Sequence, residues 1–211
     1  MDHRRVLEGI AVVLRTEIQW KALPKERFGS PGSVRAYFRK WEKARRFLAL
    51  WQAGLAEYDD MEGISCRRQS LDGARGKAPL AREAVGPNPT DRQKKGSKRH
   101  LLADAPGIPL SLVVTGPIAM TGTQGETVLA AWVIERPTGT SKNAQHLCAD
   151  SAYAGAPARQ AMVARNDTPQ VRPRAAEASP EKEGSQVPCP PRGRRGWPLR
   201  VQPFPENLSQ G

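Results

Sequence analysis

The sequence predicts an α/β fold in two parts, with a small all-α domain followed by a domain built on a mixed sheet with flanking helices. The first observation is a change of period: apolar residues recur at helical spacing up to about residue 60 and then occur in short strand-like runs. The second is the order of the later elements, which is strand, hairpin, helix, strand, helix, strand. The third is a proline-rich stretch, residues 176–211, which has neither period and is predicted to be disordered.

The composition indicates a polyanionic partner. The 211 residues include 33 Lys and Arg against 21 Asp and Glu, a formal net charge of +12. Such a charge favours nucleic acid, because each phosphate that is neutralised releases condensed counterions. Double-stranded DNA is the expected partner; a basic protein that merely stays in solution is the alternative. No segment has the length of a signal peptide or membrane span, so we expect a cytoplasmic protein with no membrane partner.

Helices are predicted across residues 1–60. The first is expected to run to Pro24, which stops it. Ser30 is predicted to cap the next helix, with Pro31 as its first residue. A further apolar run extends from Phe47 to Leu55. The apolar positions of the first two helices are Val6, Leu7, Ile10, Val13, Leu14, Val34, Tyr37, Phe38 and Trp41.

A short helix, a glycine-containing turn and a basic helix form the pattern of a helix-turn-helix, in which the second helix enters a major groove of DNA. A small bundle with a solvated basic face is the alternative, and periodicity alone does not separate the two. The residues predicted to contact DNA from this helix are Arg35, Arg39, Lys40 and Lys43.

The second domain is predicted to begin with a strand that ends at Asp72, followed by a glycine-rich and basic loop over residues 73–97. A later short strand ends at Asp150. The predicted elements are a strand Ile64–Leu71, a hairpin Lys98–Val114, a helix Glu126–Glu135, a strand His146–Ala149, a helix Pro157–Arg165 and a strand Pro169–Val171.

Asp72 and Asp150 are the candidate chemical groups. They would be neighbours if their strands are adjacent, and ligand sites in open α/β sheets gather at the carboxyl ends of strands. Two carboxylates held close together repel each other unless a divalent cation lies between them. Oxygen-only ligation suits Mg²⁺ or Mn²⁺. Aspartates at strand ends are also common in turns, so the pair alone is a weak signal.

Longer runs of sequence add to this signal. In the N-terminal part they are Val6–Ile10, Trp20, Leu23-Pro24, Arg27–Ser30 and Phe38–Trp41; further on they are Asp72-Gly73, Gly86–Leu102, Gly107–Gly116 and His146–Tyr153. Over residues 4 to about 175, this ordered set resembles the bacterial insertion-sequence transposases of the DDE type, in the family called IS five.

The resemblance implies a helical DNA-binding domain over residues 1–60 and a ribonuclease-H-like catalytic domain over residues 64–175. It makes Asp72 and Asp150 the first two of three acidic ligands to Mg²⁺ or Mn²⁺, with a glutamate on a later helix as the third. The implied reaction is cleavage at the terminal inverted repeats by activated water, followed by attack of the freed 3′-OH on target DNA. That reaction joins two ends, so a homodimer is expected. The expected location is the bacterial nucleoid.

A basic run leads into the predicted hairpin beside these aspartates. We expect it to clamp DNA phosphates, with a solvated charged loop as the alternative. Its members are Arg92, Lys94, Lys95, Lys98 and Arg99.

The chain departs from the family pattern in several places. It begins inside what resembles the first domain, Ala152 stands where relatives carry glycine, and residues 117–121 replace a polar segment. Prolines between Pro188 and Pro198 exclude the amphipathic helix that would carry the third carboxylate, and a frameshift in the gene is the hypothesis. The expectation is therefore a degenerate transposase with impaired catalysis. A DNA-binding remnant that represses related transposases and a ribonuclease-H-like nuclease are the alternatives.

Overall fold

The computed structural model describes residues 2–77, 84–89, 92–135 and 144–171. The chain divides into two compact units, with the boundary between Met61 and Glu62. The predicted tail over residues 176–211, including the prolines that gave rise to the frameshift hypothesis, lies outside the described residues. No helix in the part of the chain described here is long and apolar enough to cross a membrane.

The first unit is a helical bundle, which confirms the all-α N-terminal part. Its first helix begins after Asp2, whose side chain accepts a hydrogen bond from the main-chain N–H of Arg4 at 2.9 Å. This hydrogen bond satisfies one of the donors that a helix start leaves open. The helices are α1 His3–Thr16, α2 Lys25–Phe28, α3 Pro31–Lys43 and α4 Arg46–Met61.

The bundle has an apolar core of its own. Gly9 lets α1 approach α2 closely, because a Cβ at this position would lie 3.1 Å from the Cβ of Phe28. Aromatic rings extend the core: the ring centroid of Phe38 lies 5.2 Å from that of Trp20 and 5.5 Å from that of Phe47. The buried members are Val6, Ile10, Val13, Leu23, Phe28, Val34 and Trp41.

The first helix is shorter than predicted. It ends at Thr16, and Glu17 follows in a left-handed conformation with φ 56°. The chain then makes a 3-10 turn that places Trp20 against the ring of Phe38. Pro24 does not stop α1 but precedes α2, a position where its missing N–H costs no hydrogen bond.

The second unit is a mixed sheet with helices packed on it, which confirms the predicted α/β class. β3 is antiparallel to β1 on one edge, and to β2 and β4 on the other. β5 is parallel to both β1 and β6, so the order continues β3-β1-β5-β6. The strands are β1 Arg68–Lys77, β2 Gly86–Pro87, β3 Lys95–Ala103, β4 Pro109–Thr115, β5 Gln145–Ala149 and β6 Asp167–Val171.

Two short helices, α5 Gly125–Ala130 and α6 Ala156–Val163, pack against each other and against the sheet. They approach closely at Gly125, where a Cβ would lie 2.9 Å from the Cβ of Ala158. Its core includes large side chains that are almost completely buried, among them Leu71, Leu102, Leu110, Leu129, Leu147, Tyr153 and Met162.

Several boundaries in the second unit differ from prediction, the largest differences being those of β1, of the predicted loop and of α5. β1 continues to Lys77 instead of ending before Asp72, because its main chain keeps pairing with β3 as far as Gly96. The predicted loop over residues 73–97 therefore begins and ends in strands, although residues 78–83 and 90–91 lie outside the described residues. α5 ends at Ala130, and the N–H of Val133 donates to the carbonyl of Leu110 instead of continuing a helix.

Candidate active site

Asp72 and Asp150 are brought together by the parallel pairing of β1 with β5. The last pair in that register is Leu71 with Ala149, so the two aspartates are the next residues on two adjacent strands. Asp150 follows the end of β5, as predicted, whereas Asp72 lies in the middle of β1. The sequence prediction that these carboxylates become neighbours therefore has a direct counterpart in the sheet register.

Short-range hydrogen bonds orient both carboxylates, which are half-buried. Oδ1 of Asp72 accepts a hydrogen bond from the N–H of Gly73 at 2.8 Å. Oδ1 of Asp150 accepts one from the hydroxyl of Ser151 at 3.2 Å. Asp150 also starts a 3-10 turn, in which its carbonyl accepts from the N–H of Tyr153 at 2.8 Å.

Behind the aspartates, Tyr153 and His100 form a buried polar pair, and both are fully buried. The Tyr153 hydroxyl lies 2.8 Å from Nδ1 of His100, and Nε2 of His100 lies 3.0 Å from the hydroxyl of Thr115. In the antiparallel register Gly73 is opposite His100 and Asp72 is opposite Leu101. Paired residues share a face and successive residues alternate, so Asp72 and His100 point to opposite faces of the sheet.

Burial controls the ionisation of this pair. Burial, reinforced by the nearby Lys98 ammonium, lowers the pKa of His100 to about 4, so the ring is neutral at pH 7. Burial also raises the pKa of Tyr153, and the charges of Asp72 and Asp150 raise it further. The site therefore holds a neutral phenol within the electrostatic reach of both carboxylates.

Lys98 is a buried cation on the same face of β3 as His100. Its ammonium donates to the hydroxyl of Thr121 and to the carbonyl of Ala119, the latter at 3.5 Å. Burial lowers the pKa of Lys98 and Arg75 lowers it further, while Asp150 acts in the opposite direction. Lys98 is thus part of the interior on the His100 face of the sheet, within electrostatic reach of Asp150.

The remaining basic residues of the predicted DNA interface are exposed, which separates them from Lys98. Lys98 alone of the predicted basic run is buried, because the alternation of β3 turns it towards the interior while Arg99 faces solvent. The prediction that all five residues of this run clamp DNA phosphates stays a prediction, and the burial of Lys98 distinguishes it from the four exposed members. The exposed residues are Arg35, Arg39, Lys40 and Lys43 on α3, and Arg92, Lys94, Lys95 and Arg99 in the second unit.

The donor set at the aspartates fits a hard divalent cation. Asp72 and Asp150 offer carboxylate oxygens and Ser151 a hydroxyl, which are ligand types that Mg²⁺ prefers. Mg²⁺ is commonly held by one or two carboxylates together with substrate phosphates, so two are enough to begin such a site. Within the described ranges, no group of three or more His, Cys, Asp or Glu side chains is placed to hold a metal ion.

Sequence reasoning did not single out His100, Tyr153 or Thr115 for the site. The partners are 53 and 15 residues apart, so no local motif joins them. One signal was available: Lys98 and His100 share a strand face with the apolar Leu102, which indicates polar groups on a buried face.

Comparisons with known proteins identify relatives of the N-terminal segment. Residues 1–51 match the family described as "Putative transposase of IS4/5 family". "Putative transposase for insertion sequence element IS402" of Burkholderia cepacia is 46% identical over 52 residues, which cover 25% of this chain and 23% of that relative. The chain therefore matches about a quarter of the length of this curated relative.

Two solved structures are also similar to the chain. "Mos1 transposase paired-end complex with left transposon end" is 14% identical, with 81% of this chain and 59% of that chain covered and a TM-score of 0.35. "Crystal structure of the Mos1 Strand Transfer Complex" is 13% identical, with 80% and 57% covered and a TM-score of 0.34.

Proposed function

From the match of residues 1–51 to a family of putative insertion-sequence transposases, we propose that the whole chain is a DNA transposase. Its helical unit binds the terminal inverted repeats, and its second unit, a ribonuclease-H-like domain of the DDE type, cleaves and joins DNA with Mg²⁺ or Mn²⁺. The observation that carries the proposal is the register of β1 and β5, which makes Asp72 and Asp150 neighbours.

The form of the sheet supports the assignment of the catalytic domain. Three antiparallel strands, β1, β3 and β4, are followed by β5 and β6, which are parallel to β1. The two aspartates lie where the parallel pairing of β1 and β5 ends. An open α/β sheet places ligand sites outside the carboxyl ends of such parallel strands.

In the proposed reaction, the side chains of Asp72 and Asp150 would hold the divalent cation next to the scissile phosphate. When bound, the cation activates an attacking oxygen and stabilises the charge that develops at phosphorus. Lys98, which is buried within electrostatic reach of Asp150, adds a positive charge that offsets the repulsion between that carboxylate and the incoming phosphate. The protein needs no covalent intermediate for this chemistry.

The arrangement of α2 and α3 supports DNA binding by the first unit. α2 ends at Phe28, and the φ of 85° at the following Gly29 allows the tight turn into α3. One side of α3 packs into the core through Val34 and Trp41. The other side exposes cations that suit phosphate binding in a major groove; they are Arg35, Arg39, Lys40 and Lys43.

A homodimer is the proposed assembly. Joining both ends of an element to a target requires two strand-transfer events, and two copies of the site supply them. The exposed Arg92, Lys94, Lys95 and Arg99 would then bind the phosphates of the end being processed.

The proposal is tested first at its metal site by titrating the whole protein with Mn²⁺ and following the signal of free Mn²⁺ by electron paramagnetic resonance. Asp72→Asn and Asp150→Asn should each weaken binding by more than about tenfold, because each removes one of the two charged ligands. Asp60→Asn, an exposed carboxylate at the end of α4, is the matched control and should bind as the wild type does. Equal affinity in all four proteins, or no Mn²⁺ binding by the wild type, would overturn the proposed site.

A further inference from the structure

We propose that Tyr153 is a positioning residue that fixes Asp150 relative to Asp72, through a hydrogen-bond chain that runs over His100 to Thr115. The inference rests on the proposed function, since it assigns Tyr153 to the spacing of the two proposed metal ligands. Tyr153 itself does not contact the metal or DNA in this account.

The main chain ties Tyr153 to Asp150. Both lie in one 3-10 turn, in which the N–H of Tyr153 donates to the carbonyl of Asp150 at 2.8 Å. The Tyr153 side chain is fully buried, so its ring cannot change position without moving its neighbours. The ring thus fixes the turn on which the second aspartate stands.

The hydroxyl group of Tyr153 lies close to β1, the strand that carries Asp72. Gly73 follows Asp72 directly, and a Cβ built on Gly73 would lie only 3.1 Å from the Tyr153 hydroxyl oxygen. The absence of a side chain at Gly73 therefore lets Tyr153 pack against the backbone of β1 beside Asp72. One side chain spans the distance between the two carboxylate-bearing segments.

A directed set of hydrogen bonds holds the hydroxyl in place. The Thr115 hydroxyl donates to the carbonyl of Gly116 at 3.2 Å, which leaves its oxygen to accept from the Nε2–H of His100. With Nε2 protonated, Nδ1 of the neutral ring accepts from the Tyr153 hydroxyl at 2.8 Å. Each donor in this series of hydrogen bonds has one acceptor. The Tyr153 hydroxyl is therefore held in place by hydrogen bonds that extend to Thr115 on β4.

The position of these hydrogen bonds in the sheet excludes a direct role for Tyr153 as a metal ligand. Its hydroxyl lies on the His100 face of the sheet, whereas the Asp72 side chain points to the opposite face. Its proton is directed towards Nδ1 of His100, on the face opposite to the Asp72 side chain. The role that remains for Tyr153 is to set the distance between the aspartates from the His100 face of the sheet.

The test is the Mn²⁺ affinity of the full chain, followed by the resonance signal of free Mn²⁺, in Tyr153→Phe and Thr115→Val. Tyr153→Phe keeps the ring and removes the hydroxyl; Thr115→Val removes the far end of the chain without approaching the aspartates. We expect Tyr153→Phe to weaken Mn²⁺ binding by about tenfold, as loss of an orienting partner does at other metal sites, and Thr115→Val to act in the same direction. The double variant should be no weaker than Tyr153→Phe alone, because both changes break one chain.

Controls separate positioning from general stability. Tyr37→Phe makes the same chemical change in the helical unit and should leave the Mn²⁺ affinity at the wild-type value. Gly73→Ala, which presses a methyl group towards the Tyr153 hydroxyl, should also weaken binding, whereas Gly54→Ala meets no atom within 4 Å and should not. Unfolding midpoints of all variants are measured in parallel.

The outcomes are distinct. Wild-type affinity in Tyr153→Phe, or a lowered unfolding midpoint with unchanged affinity of the folded protein, overturns the positioning role and leaves the proposed function standing. Wild-type protein that binds no Mn²⁺ overturns the proposed metal site and the inference with it. If the losses of Mn²⁺ affinity from the two substitutions add up in the double variant, Tyr153 and Thr115 do not act through one hydrogen-bond chain over His100, and that part of the proposal is contradicted.

Discussion

Individual residues show why the carboxylates could be predicted and their support could not. Asp150 follows the apolar run Leu147–Ala149, and Asp72 follows the weaker strand candidate Ile64–Leu71, so the sequence indicates both as residues at the ends of strands. The structure confirms this position for Asp150 and places Asp72 within β1. His100 and Tyr153 meet only in the folded sheet, 53 residues apart, and no local pattern links them. The burial of Lys98 was likewise hidden, because a lysine in a basic run resembles its solvated neighbours.

His100 carries a prediction about the pH dependence of stability. The folded protein lowers the pKa of His100 from 6.5 to about 4, so between these values the unfolded chain binds a proton that the folded chain does not. The free energy of unfolding should therefore fall as the pH is lowered from about 6.5 towards 4, and the contribution of His100 is fully present above pH 6.5. His100→Gln should lose this part of the pH dependence, as measured by urea unfolding at a series of pH values.

The result is read as the difference between wild type and variant, because Asp104 acts in the opposite direction. Burial raises the pKa of Asp104, so its contribution favours the folded state at lower pH and is present in both proteins. His3→Gln removes an imidazole that is exposed on α1 and is the matched control. A pH dependence that is flattened equally by both substitutions would contradict the assignment to His100.

For the helices and strands, the type of each element was predicted better than the residues at which it begins and ends. The hairpin of β3 and β4, the strand β5 before Asp150 and the apolar face of α3 all follow the patterns expected from the sequence. The length of β1 was underestimated because Gly73, Gly76 and several charged residues obscure the alternation of apolar and polar residues. Its hydrogen bonds to β3 extend the strand beyond the predicted end. α1 was overestimated because Trp20 and Leu23 continue the helical spacing from a separate turn.

The basic run beside β3 carries a prediction at this scale. Replacing Arg92, Lys94, Lys95 and Arg99 by glutamine should flatten the slope of log K against log salt for DNA binding, by about 0.9 for each phosphate that the protein no longer neutralises. Lys98→Met should change the slope less than any one of these, because Lys98 is buried. Arg159→Gln, an exposed cation on α6, is the control for loss of charge alone. An unchanged slope in the fourfold variant would show that the run is a solvated loop.

For the molecule as a whole, the sequence predicted a helical part before a mixed sheet, and the two compact units have that character. The net charge of +12 favours a polyanionic partner, and the match of residues 1–51 to a family of putative insertion-sequence transposases supports the proposal that this partner is DNA. The third acidic ligand was not assigned from the sequence, and the proline-rich tail lies outside the described residues. The central claim is therefore a transposase that binds its own ends and places a metal on Asp72 and Asp150.

The most direct measurement incubates the full chain with labelled DNA from the ends of its own element, with and without Mg²⁺, and separates bound, cut and joined products. The account predicts retention of end DNA over scrambled DNA, and Mg²⁺-dependent cutting and joining that are weak and are abolished in Asp72→Asn. Retention without any cutting would leave a DNA-binding remnant, and cutting without joining would indicate a nuclease. Equal binding of end and scrambled DNA, or cutting that persists in Asp72→Asn, would contradict the account.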